Sequence, residues 1–292
     1  MPYATTDDGV KLYYEESGEG TPIIFIHEFA DDYRTWDDQV ALFKKTHRCI
    51  VYNARGYPPS DVPESPDQYS QLRATEDARD VLKHLGIEKA HIVGLSQGGF
   101  ASLHFGLNFP EMALSLVIAG CGYGAGADKQ QWKDETSEIA QKFLNDGVEK
   151  VGEFYCYGPT RVQFENKNKE KFLEFVKRFN EHSALGCANT FLGVQGRRPS
   201  VYELEEGMAK MTVPSLIISG DEDEPCLEPN IMMKRTIPSS WLALIPRSGH
   251  AINLEEPGLF NRIVKDFIDT VDAGKFTNRD PRSQNQSMSG IK

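Results

Sequence analysis

The chain has 292 residues, 39% of them apolar and 26% charged, and a formal net charge of −11. That length suits one large domain with an insertion, or two small ones, and is ample for a buried core. The acidic balance sets the chain against polyanions and anionic membrane surfaces, so neither nucleic acid nor membrane is an expected partner.

The opening Met1-Pro2-Tyr3-Ala4-Thr5 lacks the basic and apolar regions of a leader peptide. No apolar run reaches the ~18 residues of a membrane span. Val10-Lys11-Leu12-Tyr13-Tyr14 alternates as an antiparallel strand does. The apolar runs 23–26 and 49–52 read as core strands with a helix over 35–45 between them. Helical spacing over 70–85 gives a helix capped by Ser70 and stopped by Gly86. A strand at 90–93, a helix from 98 to 108 and a strand at 114–119 follow. Between 120 and 212 the alternation stops, and the segment reads as helical, charged and rich in aromatic clusters. Strands return at 215–219 and 241–245, and the polar stretch 273–292 is expected to be disordered or loosely docked. Strands alternating with helices argue for a mostly parallel sheet covered on both faces. The five cysteines, at 49, 121, 156, 187 and 226, are an odd count without metal-ligand spacing. They fit reduced thiols in a cytoplasm, and no metal or cofactor is expected.

Gly94-Leu95-Ser96-Gln97-Gly98 lies where the strand at 90–93 meets the helix that follows. A serine at the apex of a sharp strand-to-helix turn, flanked by small residues, is the context of a nucleophile elbow. A serine hydroxyl is a weak nucleophile at neutral pH and needs a base within reach. Past the strand at 215–219 comes Gly220-Asp221-Glu222-Asp223-Glu224, and past 241–245 comes Pro246-Arg247-Ser248-Gly249-His250. His250 can take the serine proton, and a carboxylate on its other nitrogen sets its tautomer. Four acidic residues compete for that place.

Serine, acid and histidine in this order, with Phe25-Ile26-His27, Trp36-Asp37-Asp38-Gln39-Val40, Asn53-Ala54-Arg55-Gly56 and Leu85-Gly86-Ile87, resemble the α/β-hydrolase superfamily from about residue 3 to 272. The resemblance implies an eight-stranded, mostly parallel sheet with helices on both faces, a core of 1–120 and 212–272, and a helical cap at 121–211. Within the acid loop it points to Asp223. It implies two oxyanion donors, the backbone N–H groups of Gln97 and Phe29. Where relatives commonly carry glycine, this chain has Glu28. That side chain turns to solvent, or pairs with Arg34 or Arg55, or faces the pocket, where burial favours its neutral form. His27, Tyr123 beside the glycines of 120–126, and Arg197 of the Arg197-Arg198 pair are further candidate pocket residues, the arginines as a clamp for a substrate carboxylate. The expected activity is hydrolysis of a small carboxylic ester or lactone, closest to the enol-lactonase and small-esterase branch, with a small acyl compound as partner. Cleavage of a C–C bond by the same triad, or ligand reception without catalysis, are the alternatives. The oligomeric state is not legible.

Overall fold

The computed structural model describes residues 2–126 and 128–284. Eight strands form one sheet: β1 (Tyr3–Thr5), β2 (Lys11–Ser17), β3 (Thr21–Ile26), β4 (His47–Tyr52), β5 (Ala90–Leu95), β6 (Ala113–Ala119), β7 (Ser215–Gly220) and β8 (Ser240–Ile245). Their order is β1-β2-β4-β3-β5-β6-β7-β8. The first two pair antiparallel, and the strands from β4 to β8 run parallel. This is the α/β-hydrolase architecture. The three-residue β1 is too short to show a period, and the sequence reading begins at β2.

The core strands are continuous apolar runs because both faces of the sheet are covered. Ile23 and Phe25 face the helices Asp37–Phe43 and Pro257–Asp272, meeting Phe43, Phe260 and Phe267. Ile24 and Ile26 belong to the other face, with Val81, Phe100 and Leu103 from the helices Gln71–His84 and Gln97–Asn108. The helix expected over 35–45 is split into a 3-10 turn at Tyr33–Trp36 and a helix at Asp37–Phe43. Asp32 causes the earlier start: its carboxylate accepts the Arg34 N–H at 2.9 Å and caps the turn.

Between β6 and β7 the chain leaves the sheet and forms the helices Lys129–Asp146, Val148–Tyr155, Val162–Lys167, Lys169–Phe179 and Ala184–Asn189. Phe143, Phe164, Phe172, Phe175, Phe179 and Phe191 are buried inside this insertion. The apolar cluster runs on without a break into the sheet's face. A π-helical turn at Thr190–Gln195 closes the last of these helices. Among the described residues, no helix is long and apolar enough to cross a membrane. Past the final helix, Phe276 stacks on Trp241 at 5.6 Å. The start of the polar tail is therefore anchored by one ring, and 285–292 lie outside the described residues.

Candidate active site

Ser96 stands between the end of β5 and the first residue of the helix Gln97–Asn108, with φ 56° and ψ −113°. A positive φ at a residue with a Cβ is strained, and here it lifts the hydroxyl clear of strand and helix. Its N–H donates to the Ala119 carbonyl at 2.8 Å, which pins the turn to β6. The flanking glycines are steric requirements. A Cβ on Gly94 would lie 1.9 Å from the Gly98 carbonyl oxygen, and one on Gly98 would lie 2.0 Å from that of Ile26. The second contact also sets the loop after β3 directly against the start of the serine helix. Gln97 opens that helix, so its N–H has no intrahelical acceptor.

Of the four carboxylates at 221–224, Asp223 alone is buried. Its Oδ2 accepts a hydrogen bond from His250 Nδ1 at 2.7 Å. Burial raises the Asp223 carboxyl, but the facing imidazole, Cys226 and Arg161 outweigh it and hold it below its ordinary value. Asp221 instead accepts the Ser248 N–H at 3.2 Å, and Glu222 pairs with Gln163 at 2.5 Å. With Nδ1–H given to an ionised Asp223, His250 keeps Nε2 as its acceptor. Two straps fix the histidine loop. Glu255 accepts the N–H groups of Gly249 and Ala251 at 2.8 and 3.1 Å, and the Thr160 carbonyl accepts that of His250 at 3.1 Å.

Ser96 and His250 open onto one cavity of about 270 Å³. The sheet side contributes Glu28 and Phe29; the insertion contributes Trp132, Tyr155, Arg161, Phe191 and Arg198. The π-helical turn places Phe191 and Gln195 on this wall, and the Gln195 carbonyl holds Trp132 Nε1 at 2.8 Å. Phe29 anchors the loop after β3 by its ring, which stands edge-on to Phe191 at 4.5 Å and to Tyr155 at 5.4 Å.

The remaining candidates divide. Tyr123 lines the cavity, its ring 6.2 Å from that of His250. Glu28 faces inward at 1% exposure, and its partner is neither Arg34 nor Arg55. Arg34 is held by Asp32 at 2.5 Å and Arg55 by Asp77 at 2.7 Å, so Arg161 of the insertion fills the place. His27 is not a pocket residue. It is buried, with Nδ1 donating to the Glu28 carbonyl at 2.6 Å and Nε2 accepting the Ala54 N–H at 3.0 Å, and burial lowers its pKa. Arg197 also lies off the cavity. It is half exposed and pairs with Asp67 at 2.8 Å, while its neighbour Arg198 turns in. The Arg198 guanidinium sits 3.7 Å over the Phe100 ring, and Nη2 donates to the Tyr123 carbonyl at 2.7 Å. Burial draws it down to about 10, so it remains a cation at neutral pH. Among the described residues no carboxylate pairs with it. Arg161, Glu255 and Thr160 escaped the sequence reading because nothing local marks them.

Among the described residues, two groups bring metal-ligand side chains together. One is Asp223, Cys226 and His250 of the site itself; the other is His47, His91 and Asp272 at the opposite end of the strands. In the second, each Asp272 oxygen accepts one histidine Nε2–H, at 3.1 and 2.9 Å. The ligand atoms of that group already satisfy one another.

A sequence profile describing the alpha/beta hydrolase fold matches residues 21–257. The chain is 26% identical over 270 residues to 3-oxoadipate enol-lactonase 1 of Acinetobacter baylyi, covering 91% of this chain and 96% of that one. It is 25% identical over 276 residues to the 2-hydroxy-6-oxononadienedioate/2-hydroxy-6-oxononatrienedioate hydrolase of Comamonas testosteroni, covering 88% and 91%. Among solved structures, a thermophilic esterase from Thermogutta terrifontis superposes with a TM-score of 0.82 at 23% identity, over 92% of this chain and 98% of that one.

Proposed function

The chain belongs to the alpha/beta hydrolase fold family, and we propose that within it the protein is a serine hydrolase of a small carboxylic ester or lactone. One observation carries the reading: a strained Ser96 and the His250 that Asp223 holds open on the same cavity. In this mechanism His250 Nε2 takes the Ser96 proton as the oxygen attacks the substrate carbonyl carbon. The N–H groups of Gln97 and Phe29 receive the charge on the carbonyl oxygen. His250 then gives its proton to the leaving alcohol, and the C–O bond breaks to leave an acyl-enzyme. A water, deprotonated by the same nitrogen, releases the acid and restores Ser96. Asp223 stays ionised and stabilises the imidazolium at each stage. No metal or cofactor enters this scheme.

The insertion over 121–211 acts as the cap that sizes the substrate. A cavity of about 270 Å³ suits a small acyl compound. Arg198 presents a cation on its wall that no carboxylate among the described residues pairs with, so a substrate with a carboxylate of its own gains a charge-assisted partner there. Cleavage of a C–C bond would use the same three residues. The similarity to the Comamonas hydrolase favours keeping that reaction in the test.

The experiment is Ser96-dependent turnover across p-nitrophenyl esters of rising acyl length, lactones, their analogues with a terminal carboxylate, and a chromophoric dienol diketone. Ester or lactone turnover lost in Ser96→Ala supports the reading. Turnover of the dienol alone replaces it with C–C hydrolysis. Silence throughout, with no labelling of Ser96 by a fluorophosphonate, points to a ligand-binding protein.

A further inference from the structure

Three ion pairs tie the loop after β3 to the insertion. Glu28 pairs with Arg161, Asp31 with Arg178 at 2.9 Å, and Arg34 with Glu181 at 2.7 Å. The side chains of the first two pairs are no more than 10% exposed. Phe29, an oxyanion donor in the proposed mechanism, lies between Glu28 and Asp31. Arg161 ends the short turn Pro159–Arg161, and the preceding residue in that turn holds the histidine loop. The Thr160 carbonyl accepts the His250 N–H, and a Cβ on Gly249 would come within 2.8 Å of it. One turn of the insertion therefore touches both the oxyanion loop and the general base.

A carboxylate one residue from an oxyanion donor opposes the charge that develops there, unless a cation cancels it. Titratable groups that feel Glu28 include His27, Asp31, Tyr57, Tyr155 and Cys156, and Glu135, Arg198 and His250 line the same cavity. Burial lowers His27, raises both tyrosines and pushes Cys156 up to about 12, so these four are neutral at pH 7. Burial also pushes Asp31 up to about 7, and its ion-pair partner is Arg178 at 2.9 Å. The cation paired with Glu28 is Arg161.

We propose that Arg161 is a positioning residue for the reaction: it neutralises Glu28 beside the Phe29 donor and locks that loop to the turn that holds His250. The inference rests on the serine-hydrolase reading above. It makes hydrolysis depend on the seating of the insertion, because withdrawing this turn would bare a carboxylate at the oxyanion site.

The test is kcat and KM for neutral p-nitrophenyl acetate from about pH 6 to about pH 9. A neutral ester keeps Arg161 from acting as a substrate clamp. Wild-type kcat is expected to stay level at the alkaline end, with no descending limb. In Arg161→Met, kcat is expected to fall about 100-fold at the alkaline end, with little change in KM. A descending alkaline limb should appear, because a lone buried carboxyl is neutral at lower pH and ionises as the pH rises. Arg161→Lys, which keeps a cation, should retain the level profile. The double variant Glu28→Gln/Arg161→Met should lose the limb and recover to within about tenfold of wild type. Where Arg161→Met does not fold, the double variant decides alone, since it carries neither buried charge. An Arg161→Met profile without the limb, or a folded double variant as slow as the single one, overturns the proposal. Wild-type turnover that survives Ser96→Ala overturns instead the hydrolase reading beneath it.

Discussion

The two sides of the cavity are built differently. On one side Ser96, Asp223 and His250 are set mostly by backbone devices, namely a positive φ, glycines at 94 and 98, and an acid and histidine 27 residues apart, with the Thr160 carbonyl as the strap from the insertion. On the other, the loop from Glu28 to Arg34 is held by charge pairs that span 133 and 147 residues. The first side carries the chemistry and can be written into local sequence. The second tunes that chemistry and depends on where the insertion comes to rest. A site can therefore keep its reaction while its insertion diverges, provided the counter-charges to the loop survive.

Substitutions on the two sides should separate accordingly. Ser96→Ala is expected to lower kcat for a turned-over ester by about 10⁶-fold while the melting temperature stays near wild type; a modest loss would remove the serine from the mechanism. Asp223→Asn should cost about 10⁴-fold by misorienting His250, measured as kcat at constant pH. If Asp221→Asn proves the more damaging change, the acid has been misassigned. Arg198→Met should raise KM about 10- to 100-fold for esters with a terminal carboxylate and leave neutral esters unchanged. An equal effect on both would make Arg198 a packing residue over Phe100.

The smallest effect concerns stability on the loop side. His182 is buried edge-on to Tyr57 at 5.1 Å, and burial lowers it to about 3. Its folded value lies below the unfolded one of about 6.5. The stability it contributes is thus present above pH 6.5 and lost as the pH falls toward 3. Urea unfolding at about pH 7 and about pH 5 should show His182→Phe losing less stability than wild type on acidification, by on the order of 1–2 kcal/mol. Equal losses would mean that His182 takes up protons in the folded state as readily as in the unfolded one.

Much of the fold was legible because parallel strands buried on both faces are unbroken apolar runs, and the turn glycines punctuate them. The serine elbow was legible for a related reason: its close backbone approaches demand glycine at fixed positions. The acid was legible only by resemblance, since four carboxylates share one loop and burial alone distinguishes Asp223. The partner of Glu28 was not legible. Arg34 and Arg55 are nearer in the chain, but Asp32 and Asp77 already occupy them, and such competition shows only in three dimensions. Nor could Arg197 be told from Arg198, whose chain neighbours are alike and whose directions are set by the turn after the π-helix.

The central claim is that Ser96 carries the acyl group. The most direct measurement is the mass of the Ser96 peptide after the protein is mixed with excess p-nitrophenyl butyrate and acid-quenched in the steady state. An adduct of one butyryl group on Ser96, absent from Ser96→Ala, is the expected result. Ester turnover with no adduct on Ser96 in either the wild type or a slowly deacylating Asp223→Asn variant would contradict it.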